Sequence, residues 1–216
     1  MGRVRDQGVS GMIGIVDCGL GNVASIQRMF EAADHDAEII ASPAEIRSCE
    51  KLVLPGVGAF DAGMRLLEEG GWIGSLNDAV IERRTPLLGI CLGMQLLCRG
   101  SEEGERPGLG WIDADVRILD VAGDARLKLP HMGWAVTQAR HDNPLLPADG
   151  QERRFYYVHK YRVECDREDN VLATATYGRP FTSAVRRDNI FGVQFHPEKS
   201  HRFGKELLSR FGQLSC

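Results

Sequence analysis

What most limits the fold of this chain is an alternation in its first hundred residues between short apolar runs and amphipathic stretches. Residues 12–17 and 51–54 read as buried strands, and residues 37–40 and 86–90 as further strands of the same series. Between them, residues 23–33 carry apolar positions at Val23, Ile26 and Phe30, and residues 60–69 and 73–83 show similar helical patterns. Ser42-Pro43-Ala44-Glu45 has the cap, first-turn proline and following acid of a helix start, and a further helix begins directly after Cys91. Strand, helix and strand in repeating order imply an α/β fold with a parallel sheet between helical layers.

Beyond Gly100 the texture changes to a loop rich in glycine and proline, then to short strand-like segments with little helix between them. Residues 116–119, 134–137, 155–158, 171–174, 183–185 and 190–195 are expected as antiparallel strands extending the sheet edge, with a last helix over 202–214. The expectation is therefore a central, mostly parallel sheet flanked by helices, with an antiparallel extension in the C-terminal half. Residues 12–216 read as a single domain, since no repeat or low-complexity linker divides them, and 216 residues suit one large core. Residues 1–11 read as an extension ahead of Met12 and lack the apolar segment of a signal peptide.

Composition narrows the function classes. Lys and Arg total 26 against 30 Asp and Glu, without a basic run, which argues against nucleic acid as a partner. No apolar run reaches the roughly 18 residues of a membrane helix. The 6 cysteines include no CxxC pair, and no cluster has metal-ligand spacing, so reduced thiols in a cytoplasmic protein without metal or cofactor are expected.

Three segments carry chemistry. Gly89-Ile90-Cys91-Leu92-Gly93 is a G-x-C-x-G between a buried strand and a helix, the thiol form of a nucleophile elbow, in which small neighbours permit a sharp turn and helix amides favour the thiolate. Taken alone, the pentapeptide also suits a buried structural cysteine. Gly192 to Glu198 is an apolar strand ending in His196-Pro197-Glu198, and extended geometry puts the imidazole and the carboxylate on one face, as a base and its orienting acid. Pro55-Gly56-Val57-Gly58 follows a strand and can turn backbone amides into a cavity, as an oxyanion requires. His131-Met132-Gly133-Trp134 and Tyr157-Val158-His159-Lys160-Tyr161 group aromatic and polar residues near strand ends without a role that spacing alone assigns.

In that order, Pro55 to Gly58, Gly89 to Gln95 and His196-Pro197-Glu198 resemble the class I (triad) glutamine amidotransferases. The resemblance is strongest to the branch that serves as glutaminase subunit of imidazole glycerol phosphate synthase, through Asp17 to Asn22, Pro130 to Trp134 and Gln194 to Ser200. It covers residues 12–214 and implies a flavodoxin-like three-layer fold. It also implies that Cys91 attacks the amide of glutamine, His196 shuttles the proton and Glu198 holds His196. The amides of Val57, Gly58 and Leu92 would form the oxyanion hole, and glutamine would contact Gly56, Gly58, Gln95, Glu103, His159, Lys160 and Tyr161. A (β/α)8 cyclase partner, in a heterodimer, would receive the ammonia for histidine synthesis. The chain departs from the family at Lys160, where serine is usual, and at Cys18, where tyrosine is usual. Gly108 to Ile112 and Ser200 to Gly204 look like relatives that feed ammonia to sugar amidation, which makes a sugar the competing acceptor. The residues also leave open a partner-independent cysteine hydrolase and a non-catalytic binding module.

Overall fold

The computed structural model describes residues 11–121 and 126–215. Residues 1–10, which make up nearly all of the expected extension, and Cys216 lie outside the described residues. In chain order the first half contains β1 (Ile13–Val16), α1 (Val23–Glu31), β2 (Ala37–Ile40), β3 (Lys51–Gly56), α2 (Phe60–Glu69), α3 (Trp72–Asn77), β4 (Leu87–Cys91) and α4 (Leu92–Leu96). The second half contains β5 (Ala114–Ile118), β6 (His131–Ala139), β7 (Arg153–His159), β8 (Tyr161–Cys165), β9 (Val171–Tyr177), β10 (Arg179–Arg187), β11 (Ile190–Val193) and α5 (His201–Gly212).

One 11-stranded sheet runs through these elements in the order β2-β1-β3-β4-β11-β10-β9-β6-β7, with β8 and β5 branching from β10. The pairings from β2 to β11 are parallel, and every pairing beyond β11 is antiparallel. The parallel half thus has the strand order of the flavodoxin-like doubly wound fold, with β11 in its fifth place. Alternate residues of these strands enter two separate cores. Leu52 and Leu54 pack with Phe60, Met64 and Leu67 of α2 on one face, while Val53 and Leu88 pack with Ile26 and Phe30 of α1 and Leu207 and Phe211 of α5 on the other. This double burial is why β1, β3 and β4 read as largely apolar runs.

The helix start at Ser42 to Glu45 is present, in the form of the 3-10 helix Pro43–Ser48, with Glu45 reaching back to the Ser42 backbone N–H at 3.4 Å. The structure differs from the sequence reading at other points. The helix expected over 73–83 is α3 followed by a π-helical turn, Asp78–Glu82. Strand β8 has no counterpart in the apolar pattern, because Arg162 and Glu164 interrupt it; its Val163 is nonetheless buried and faces Val116 of β5.

Candidate active site

Three neighbouring parallel strands each end at the same place. Cys91 closes β4, Gly56 of β3 lies in register beside it, and Val193 of β11 lies in register with Ile90 on the other side. Cys91 has φ +55° and ψ −110°, a conformation that L-residues adopt only under strain. The elbow is held by glycine contacts on every side. A Cβ on Gly93 would lie 1.8 Å from the Leu54 carbonyl oxygen, one on Gly89 2.8 Å from the Gly93 oxygen, and one on Gly56 2.8 Å from the Gly93 nitrogen. The backbones of β3, β4 and α4 therefore touch with no side chain between them. The helix that follows, Leu92–Leu96, is only 5 residues long, so it has no long dipole to set against the thiol.

His196 and Glu198 meet by another route than strand alternation. β11 stops at Val193, and Pro197–Lys199 form a 3-10 turn that folds Glu198 back on the imidazole. Nδ1 of His196 and Oε1 of Glu198 are 2.8 Å apart, and both side chains are 5% exposed. The backbone is tied down as well, since the His196 N–H donates to the Tyr156 carbonyl of β7 and Ser200 Oγ donates to the His196 carbonyl. Burial disfavours the imidazolium, but hydrogen bonds with the Cys91 sulfur and with Glu198 more than offset this and raise the group from 6.5 to about 9. Because the folded value lies above the ordinary one, the stabilisation is complete below about 6.5 and is lost as the pH rises through about 9. An NMR titration of the His196 ring should accordingly give a midpoint near 9, and in Glu198→Gln a clearly lower one. An unmoved midpoint in the variant would show that the carboxylate does not hold the proton.

These groups open on a cavity of about 270 Å³. Of the residues expected at the site, Val57, Gly58, Cys91, Leu92, Gln95, Glu103, His159, Lys160, Tyr161 and His196 line it. Gly56 and Glu198 are not on its wall: Gly56 is the spacer beneath Cys91, and Glu198 stands behind His196. Gly58 has φ +105° with open space where a Cβ would be, a conformation glycine adopts freely. Glu103 accepts from the Phe60 N–H at 2.8 Å, which caps α2 and fixes the loop against the cavity. Asp61 of α2 accepts in return from the backbone N–H groups of Glu105 and Arg106.

His159 is committed through both ring nitrogens. Nδ1 donates to the Tyr161 carbonyl at 2.7 Å, so Nε2 accepts from His131 Nδ1 at 3.0 Å. Burial pushes His159 down to about 3 and His131 down to about 4, and His159 forms a neutral wall of the cavity. Lys160 is exposed, its ammonium lying over the Tyr161 ring at 5.5 Å, so a side-chain hydroxyl is replaced here by a cation turned onto its neighbour. Cys18 is buried in the core, and burial, its leading cause, raises its thiol to about 11. Pro130, Val158 and Lys199 also line the cavity; each lies inside a segment that the sequence singles out, although the sequence gives none of them a role.

A thiol and an imidazole supported by a carboxylate, on one cavity, can attack a carbonyl carbon and protonate an amine leaving group. Comparison with known proteins agrees with that chemistry. The family model "Glutamine amidotransferase class-I" matches residues 14–213. The chain is 45% identical to imidazole glycerol phosphate synthase subunit HisH 2 of Pseudomonas aeruginosa, over 94% of this chain and 100% of that one. It is 48% identical to the subunit of the same name from Methanococcus maripaludis, over 93% of this chain and 98% of the relative. Among solved structures, a crystal structure of a glutamine amidotransferase aligns with TM-score 0.69 at 19% identity, covering 92% of this chain and 99% of the other. A glutamine amidotransferase from Thermotoga maritima aligns with TM-score 0.61 at 17% identity, over 91% of this chain and 80% of that chain. At those identities the likeness establishes the fold alone.

Proposed function

The chain belongs to the class I glutamine amidotransferases, and from that membership we propose that it is the glutaminase subunit of an imidazole glycerol phosphate synthase. The observation that carries this reading is the meeting, on one cavity, of a cysteine at φ +55° with an imidazole that a carboxylate supports from 2.8 Å away. The relatives above, matched almost end to end, supply the branch of the family.

In this mechanism the Cys91 thiolate attacks the side-chain carbonyl carbon of glutamine. The developing oxyanion is held by the backbone N–H groups of Val57, Gly58 and Leu92. His196 gives its proton to the departing amine, the C–N bond breaks, and ammonia leaves behind a γ-glutamyl thioester on Cys91. Water then loses a proton to His196 as it attacks the thioester, and glutamate departs as the thiolate re-forms. Glu198 keeps the imidazole oriented throughout. Gln95, Glu103 and the 159–161 segment surround the substrate, with Lys160 contributing main-chain atoms.

Ammonia released into water at neutral pH becomes ammonium, which is not a nucleophile, so it must pass directly to an acceptor. A (β/α)8 cyclase subunit, paired with this chain as a heterodimer in the cytoplasm, takes it to a ribotide and forms imidazole glycerol phosphate and an aminoimidazole carboxamide ribotide. Support for a docked partner comes from apolar surface at the mouth. Val57, on the cavity wall, is 49% exposed, and Met132 and Trp134, which follow the lining residue Pro130, are 63% and 46% exposed.

The test is glutamate release by the purified chain, alone and with the cyclase barrel plus its ribotide ligand. Slow turnover alone and stimulation of about tenfold or more with the partner are expected, as a partner-completed site requires. Absence of stimulation, with Cys91 still labelled by a glutamine-mimicking electrophile, would move the assignment to a sugar-amidating partner. Fast turnover of peptide or γ-glutamyl substrates without any partner would make the protein a free-standing hydrolase.

A further inference from the structure

Outside the triad, one fully buried polar side chain touches the nucleophile. Gln194 is 0% exposed, and its Nε2 donates to the Cys91 sulfur at 3.8 Å. Its Oε1 accepts from Gln95 Nε2 at 3.0 Å, and its backbone N–H donates to the Ser183 carbonyl of β10 at 2.9 Å. The amide is thus held at both ends and at its root.

The direction of this relay is forced by the sulfur. A thiolate only accepts hydrogen bonds, so the NH2 end of Gln194 must face Cys91. Its carbonyl end is then left for Gln95, whose own NH2 must turn toward it. Gln95 lines the cavity, and its remaining end there is the acceptor oxygen. The Cys91 thiol itself donates to the Val158 carbonyl at 3.9 Å, so Gln194 is the amide that offers the sulfur a donor.

Resting on the glutaminase reading, we propose that Gln194 is a positioning residue that steadies the Cys91 thiolate and, through the same amide orientation, presents the carbonyl oxygen of Gln95 to the N–H groups of glutamine. One side chain therefore couples the readiness of the nucleophile to the polarity of the binding wall.

The test compares Gln194→Met, which keeps the length and removes both polar ends, with Gln194→Asn, which keeps the amide but draws it back from the sulfur. Iodoacetamide labelling of the Cys91 peptide is followed by mass spectrometry at pH 7 and pH 10, alongside kcat and KM for glutamine hydrolysis in the complete complex. Loss of a hydrogen bond to a charged group should slow labelling of Gln194→Met about tenfold at pH 7. At pH 10, where a thiol ionises unaided, it should match wild type. Its kcat should fall about tenfold and its KM should rise, whereas Gln194→Asn should show the kcat effect with KM nearer to wild type. Should the methionine variant fail to fold, the asparagine variant carries the same labelling comparison. Labelling at the wild-type rate at pH 7, or slowed equally at both pH values as a merely structural change would do, overturns the proposal. Labelling needs no glutamine turnover, so the two failures separate: a wild-type complex that releases no glutamate sinks the glutaminase reading, whatever the labelling ratio.

Discussion

Cys91→Ala should fold normally, form the complex and release no measurable glutamate. The loss should be about 10⁴-fold or more, on the scale seen when a nucleophile acting in concert with its base is removed. Stability should hardly change. The substitution deletes one sulfur from a side chain that is already at the cavity wall, and alanine is no less strained than cysteine at φ +55°. Its coupling to His196 gives an independent check, because the imidazole loses one of the two partners that raise it and should titrate at lower pH than in wild type. Glutamate release by the variant complex at anything near the wild-type rate would end the case for a thioester.

Gly93→Ala should have the largest effect on stability of any single methyl group added to the site. The new Cβ would lie 1.8 Å from the Leu54 oxygen and 2.9 Å from its carbonyl carbon, both backbone atoms of β3 that cannot rotate aside. Either β3 and α4 separate or the elbow unwinds. Forcing a group into close-packed backbone costs about 3 kcal/mol at the upper end of the usual range, and more where nothing can yield. Gly58→Ala is the right comparison, because there the space is open and only the φ of +105° opposes the substitution. Urea unfolding should show Gly93→Ala far below wild type, or insoluble, with Gly58→Ala nearer to wild type. Equal midpoints for Gly93→Ala and wild type would mean that the contact of β3 with α4 does not hold the elbow.

The parallel half is legible in the sequence because β1, β3 and β4 are buried on both faces and its helices carry a regular apolar stripe; Ala37–Ile40 and Phe60–Glu69 have the bounds that the pattern predicts. The elbow is legible because only glycine fits against Leu54 and Gly56. The pairing of His196 with Glu198 follows from the sequence for a partly mistaken reason, since a 3-10 turn and not an extended chain joins them. Contacts across the fold leave no local trace. The joining of Gln95, Gln194 and Cys91, the double commitment of His159, and the docking of Glu103 on α2 depend on side chains brought together by strand order, which periodicity does not encode. Strand β8 is hidden because its outward charges mask the single buried valine that pairs it with β5.

The position of β11 also governs when the chain becomes competent. It is synthesised near the end, yet it fills the gap between β4 and β10 and, among the described residues, is the one bridge on the sheet's main path between its parallel and antiparallel parts. A nascent chain that already contains Cys91 therefore presents β4 as an open edge and has no base beside its sulfur. Pairings between strands so distant in sequence are slow to form, and an unpaired edge invites association meanwhile. Ammonia production is in this way withheld from incomplete chains: the strand that seals the sheet is the strand that delivers His196.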